Sequence, residues 1–319
     1  MAINKVVRAA LKAISYKDID VKKNLMLHRN FVNLTHRHYL KPLFNTWDCS
    51  VGSENHSVPV RIYSPQNDGN YPVLLFFHGG GWVAGNIDSY SKVCANMAKM
   101  TNHKVVSVDY RLAPENPFPA GLEDCYEVAK AFINNKVIND KEVTIIGDSA
   151  GGNLAAALSL LARDRKEFKV KRQILIYPAT FNDHSITSPF GSVHENGTEY
   201  LLTSKRICDY MDLYKSKNED IFSPYFAPLM AEDLTNQPDT LIITAEYCPL
   251  RDEGEYYGKM LRAAENNVDI LRVKDGLHGF FTLPPSFPQV RLSYEIINSF
   301  LGSMRWNDWK TKEFQNGIS

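Results

Sequence analysis

Short runs of apolar, often β-branched residues recur along the chain, each closed by Gly, Pro or Asp: 58–63, 73–77, 105–108, 143–146, 174–177, 241–244 and 270–273. Their length and their lack of a 3.6-residue period predict strands. Between several of them, apolar positions return every three to four residues, at 89–100, 122–134, 152–163, 253–266 and 289–301. That spacing predicts amphipathic helices. Strand and helix alternate, so the expected fold is α/β, a mostly parallel sheet covered by helices on both faces.

Two stretches break the alternation. Residues 1–45 and 181–225 are rich in Tyr, Phe, Leu and charged side chains and carry no strand pattern. Both are expected to form helical cap material walling a ligand pocket, with a plain covering role as the alternative. The expected organisation is N-terminal cap helices over 1–45, a catalytic domain over 46–305 with 181–225 inserted as cap, and a frayed polar tail over 306–319. The opening MAINKVVRAALKAIS is interrupted by Lys5, Arg8 and Lys12. It therefore predicts an amphipathic helix and not a signal peptide.

Composition narrows the partners. The 319 residues suffice for one large α/β domain, and 36 basic residues balance 36 acidic ones. No net field gathers nucleic acid or an anionic membrane, and no apolar run approaches the roughly 20 residues that span a bilayer. A small molecule is the expected partner; self-association is left open. Five scattered cysteines, Cys49, Cys94, Cys125, Cys208 and Cys248, have neither zinc-ligand spacing nor disulfide crowding, which points to a reducing cytoplasm.

The candidate chemistry starts at VTIIGDSAGGN, residues 143–153, where an apolar strand runs through Gly147-Asp148-Ser149-Ala150-Gly151 into an Ala- and Leu-rich helix. A serine on so tight a strand-to-helix turn projects its hydroxyl from the sheet, and the helix N-terminus lies beside any negative charge that develops there. Strand 73–77 ends in His78-Gly79-Gly80-Gly81-Trp82, and consecutive glycines let backbone N–H groups approach a substrate oxygen. Gly276-Leu277-His278-Gly279-Phe280 follows the last strand and offers a general base. His78 sits in the glycine loop, and His28, His36, His38, His56, His103, His184 and His194 are expected in surface or packing roles.

HGGGW, DYRLAPE (109–115), GDSAGGN, PLRDEG (249–254) and HGF (278–280) together resemble the hormone-sensitive-lipase family of α/β-hydrolases over residues 55–301. The resemblance implies an α/β-hydrolase fold with a helical cap, esterase activity on short or medium acyl esters, and neither cofactor nor metal. It also implies Ser149 as nucleophile, His278 as base, and the N–H groups of Gly80, Gly81 and Ala150 as oxyanion hole. Trp82, beside the loop, is a candidate substrate-binding residue or ordinary core. Phe181, Phe190, Tyr200 and Tyr210 share that ambiguity.

The family's acid is the first Asp of a D-P-L-x-D segment, and here that position, thirty residues before His278, is Cys248. The acid fixes the imidazole tautomer and stabilises the imidazolium, and its loss in related triads costs roughly 10⁴-fold in rate. Four replacements stay open. Asp252 lies about 6 Å along a helix that Pro249 would begin. It is the favoured acid. Glu246 shares a strand face with Cys248. Cys248 itself, near a helix N-terminus, could serve as a thiolate. Asp275 is the weakest choice. A serine carboxylesterase with a weakened triad is the leading expectation; a binding protein on the same scaffold, or an acyltransferase or amidase using the same serine, are the alternatives.

Overall fold

The structure, a computed structural model, describes residues 20–36, 45–53, 56–66, 69–134 and 142–302. The expected opening helix before residue 20 and the expected tail over 306–319 lie outside the described residues. Within them the elements run α1 (Leu25–His36), β1 (Asn45–Ser53), β2 (His56–Ser64), β3 (Val73–Phe77), α2 (Ser91–Thr101), β4 (Lys104–Val108), α3 (Ala120–Asn134), β5 (Val143–Asp148), α4 (Ala150–Arg165) and β6 (Arg172–Ile176). They continue α5 (Gly191–Asn196), α6 (Ser204–Tyr214), β7 (Asp239–Tyr247), α7 (Arg251–Ala263), β8 (Val268–Leu277) and α8 (Pro288–Phe300).

The eight strands form one sheet in the order β1-β2-β4-β3-β5-β6-β7-β8. β1 and β2 pair antiparallel, as do β2 and β4, and the other pairs are parallel. Every residue of β3 (VLLFF) and β5 (VTIIGD) is buried, as strands with helices on both faces require. All predicted strands and inter-strand helices are present within a few residues of their expected ends. β1 was not anticipated. Its sequence NTWDCSVGS is polar and Gly-containing, with no alternation, because the strand lies at the exposed edge and buries little.

Parallel register brings the strand ends carrying chemistry together. Phe77 pairs with Gly147, so His78 and the glycine loop leave β3 beside Asp148 and Ser149. β7 and β8 first pair at an offset of 28 residues (Ala245 with Val273) and, after a bulge, at 30 (Tyr247 with Leu277). The next residue of each strand is Cys248 and His278. The bulge includes Asp275 at φ 56°, and the Glu246 carboxylate accepts its backbone N–H at 2.7 Å. Between β6 and β7, residues 181–225 contain α5, α6 and a short 3₁₀ turn (Asn218–Phe222), with no strand.

Candidate active site

Ser149 sits between β5 and α4 at φ 56°, ψ −119°, a conformation that non-glycine residues seldom adopt. The turn is tight enough that a Cβ on Gly151 would lie 2.0 Å from the Phe77 carbonyl oxygen, so glycine is required there. Two bonds hold the strained residue: its N–H donates to Ile176 O at 2.8 Å, and its carbonyl accepts from Asn153 N at 3.0 Å, the first bond of α4. Ser149 Oγ lies 2.9 Å from His278 Nε2.

The other ring nitrogen of His278 faces Cys248 Sγ at 3.1 Å. Cys248 is fully buried and also accepts the Leu250 N–H at 3.4 Å. Burial pushes the thiol pKa well above its ordinary value, so the sulfur is protonated and uncharged at neutral pH. This weighs against the thiolate reading of Cys248, because removal from water outweighs the help of the nearby amide and of Arg251. Burial alone also lowers the His278 pKa from 6.5 to about 3. The ring is therefore neutral, with Nε2 beside the Ser149 hydroxyl and Nδ1 beside the sulfur, and the tautomer with hydrogen on Nδ1 leaves Nε2 to accept from the serine.

Asp252 does not meet the histidine. Helix α7 begins at Arg251, two residues later than Pro249 suggests, and the Asp252 carboxylate accepts from Ser192 N at 2.7 Å and Arg251 Nε at 2.8 Å. Partial burial would raise its pKa, but those two bonds and the Arg251 charge hold it below the usual carboxylate range. It is a carboxylate tying α7 to α5. Glu246 is committed to the bulge and contributes its acceptor to Asp275 N–H. Asp275 contributes its backbone there.

On the far side of Ser149 the glycine loop turns at Gly80 (φ 124°) and Gly81 (φ 61°). No acceptor among the described residues takes the amides of Gly80, Gly81 or Ala150, whereas Gly79 N–H donates to Asp148 Oδ1 at 2.8 Å. Asp148 was not singled out from the sequence. It is 2% exposed, also accepts from Tyr90 OH at 3.1 Å and Tyr177 OH at 3.4 Å, and burial pushes its pKa up to about 7. A carboxylate ending an otherwise apolar strand, directly before the serine, was the available signal. Trp82 packs as core: it is 4% exposed, stacks on Tyr214 at 4.6 Å and donates to Asn153 Oδ1 at 3.2 Å.

A family model for the alpha/beta hydrolase fold matches residues 74–282, which include the glycine loop, Ser149, Cys248 and His278. The chain belongs to the hormone-sensitive-lipase family of α/β-hydrolases. Within that family it is 38% identical over 258 residues to an arylesterase of Saccharolobus solfataricus, spanning 78% of this chain and 81% of that one. It is 35% identical over 231 residues to the carboxylesterase NlhH of Mycobacterium tuberculosis, spanning 70% and 71%. The solved hyperthermophilic esterase from Pyrobaculum calidifontis superposes with a TM-score of 0.81 at 35% identity, covering 94% of this chain and 98% of that one. No helix among the described residues is long and apolar enough to cross a membrane.

Proposed function

We propose that this member of the hormone-sensitive-lipase family hydrolyses small, short- to medium-chain acyl esters through an acyl-enzyme on Ser149, with Cys248 in the place of the usual triad acid. The 2.9 Å contact between Ser149 Oγ and His278 Nε2, at the end of β5, carries the reading. The arylesterase and carboxylesterase relatives support the reaction class.

In the first step Ser149 Oγ attacks the ester carbonyl while its proton passes to His278 Nε2. The carbonyl oxygen becomes an oxyanion facing the N–H groups of Gly80, Gly81 and Ala150, next to the N-terminus of α4. Collapse breaks the bond to the alcohol, which takes the proton from His278. Water then adds to the acyl-enzyme with His278 again as base, and the acid leaves. The Cys248 sulfur accepts the Nδ1–H and fixes the tautomer, but being uncharged it gives the imidazolium little stabilisation. The enzyme is expected to be slow relative to a variant carrying an aspartate there. Helices α5 and α6, with α1, serve as the cap, and the free cysteines support a reducing cytoplasm.

Turnover of p-nitrophenyl butyrate by the parent and by Ser149→Ala tests the reading. A fall of about 10³-fold or more is expected. Equal turnover by both proteins would refute Ser149 as the nucleophile. A binding protein is the second reading, motivated by the uncharged thiol against His278, and Ser149-dependent turnover excludes it.

A further inference from the structure

Tyr210, on α6 between β6 and β7, is not explained by the proposed chemistry, yet its ring lies directly on the glycine loop. A Cβ built on Gly81 would fall 2.5 Å from Tyr210 Cγ and Cδ2, so the ring rests against the Gly81 backbone where any other residue would need space. One helical turn further along α6, Tyr214 stacks on Trp82 with the two rings 1° from parallel. The same face of α6 thus covers two consecutive residues of the loop.

A second element holds Tyr210 from behind. His28, on α1 and 8% exposed, has Nε2 3.0 Å from the Tyr210 hydroxyl, with the ring centroids 5.6 Å apart. Its neighbour Arg29 donates to Val83 O at 2.6 Å and Ala113 O at 2.8 Å while pairing with Glu115 at 2.6 Å. α1 therefore grips the loop at Val83 directly and at Gly81 through Tyr210. From within, the loop is held by Asp148 on Gly79 N–H and by Asn153 on Trp82.

We infer that Tyr210, held by His28, is a positioning residue that fixes the Gly81 amide for the oxyanion, so that docking of α1 and α6 over the site is itself required to complete the oxyanion hole. The inference rests on the proposed esterase chemistry and adds to it which part of the chain outside the sheet sets transition-state stabilisation. The physical basis is that amide dipoles stabilise a developing charge only when their direction is fixed beforehand. The peptide that carries the Gly81 N–H is tied at its carbonyl end, where Gly80 O accepts from Val83 N at 3.2 Å and Ala84 N at 3.0 Å, but Gly81 itself, with no side chain and at positive φ, adds no steric resistance to a shift of the whole turn. The Tyr210 ring adds that resistance by filling the space the loop would swing into.

The test compares the parent with Tyr210→Phe, which keeps the ring and loses the bond to His28, and Tyr210→Leu, which loses the ring. Steady-state kinetics on p-nitrophenyl butyrate are paired with inhibition by phenylboronic acid, whose tetrahedral serine adduct presents an oxygen to the oxyanion site. For Tyr210→Leu, kcat is expected to fall by about 10- to 100-fold and the boronate Ki to rise by a comparable factor, with KM within about threefold. Tyr210→Phe is expected to lose only a few-fold, approximately, in both, which keeps the test readable if the leucine variant folds poorly.

Unchanged kcat and boronate affinity in Tyr210→Leu, whatever its melting temperature, would overturn the inference, leaving Tyr210 a packing residue. A rise in KM alone would also overturn it, because that result describes a pocket wall. If Ser149→Ala binds the boronate and turns over substrate like the parent, the esterase reading itself has failed, and the Tyr210 inference falls with it.

Discussion

Replacing Cys248 with aspartate should turn a slow site into a fast one. The thiol lies 3.1 Å from His278 Nδ1, carries no charge, and leaves an imidazole whose pKa is about 3. Protonating that ring during acylation, compared with one at the ordinary 6.5, costs on the order of 5 kcal/mol at about 1.4 kcal/mol per pKa unit. His278 is only partly buried, and water along its accessible edge reduces the difference. A carboxylate at position 248 would recover most of the remainder, so kcat/KM on p-nitrophenyl butyrate should rise by about 10²- to 10⁴-fold.

The pH profile provides an independent sign. Activity requires neutral His278, so a low imidazole pKa keeps the parent active well into acid. Raising that pKa moves the acid limb of kcat/KM upward, toward pH 6–7 in Cys248→Asp, roughly where an ordinary triad histidine titrates. The new carboxylate finds the Leu250 N–H as a donor in addition to the imidazole, so the variant should remain folded, which circular dichroism checks. A folded Cys248→Asp with unchanged rate and an unmoved acid limb would refute the argument that the sulfur occupies the acid's place.

Asp252→Asn should leave kcat/KM within about threefold, because that carboxylate serves Ser192 and Arg251; a loss of about 10³-fold or more in the same kinetic assay would restore it as the acid. Glu253→Ala should destabilise by about 3–5 kcal/mol in urea titrations, since the fully buried Glu253 accepts from Thr180 N and Phe181 N and pairs with fully buried His184 at 2.5 Å. A change within about 1 kcal/mol would contradict that reading. Asp148 is held near pKa 7 by burial against 3.8 when unfolded, so it contributes stability below about pH 4 that is lost as pH rises through 7. Asp148→Asn, which retains an acceptor for Gly79 N–H, should flatten the dependence of melting temperature on pH between about 4 and 7; an unaltered slope would assign it to other groups.

The α/β alternation is legible in the sequence, because buried parallel strands such as VLLFF, and VTIIGD up to its final carboxylate, must be largely apolar and the helices between them carry one apolar stripe. So are the serine and its glycines, since the turn at Ser149 excludes a Cβ at Gly151 and so writes itself into local composition. The histidine was found by resemblance and position. β1 escaped because an exposed edge strand imposes no pattern, and Trp82 was ambiguous because a large ring beside a site suits either core or pocket.

What touches His278 Nδ1 was decided only in three dimensions. The contact spans thirty residues and depends on a bulge that shifts the β7–β8 offset from 28 to 30, held by Glu246 on the Asp275 amide. Four acids or thiols lay within a few residues of the needed place, and a helix starting two residues later than expected turned Asp252 toward Ser192 instead. Side-chain identity is local, but which side chain faces a ring nitrogen is set by strand register, and register is a property of paired strands.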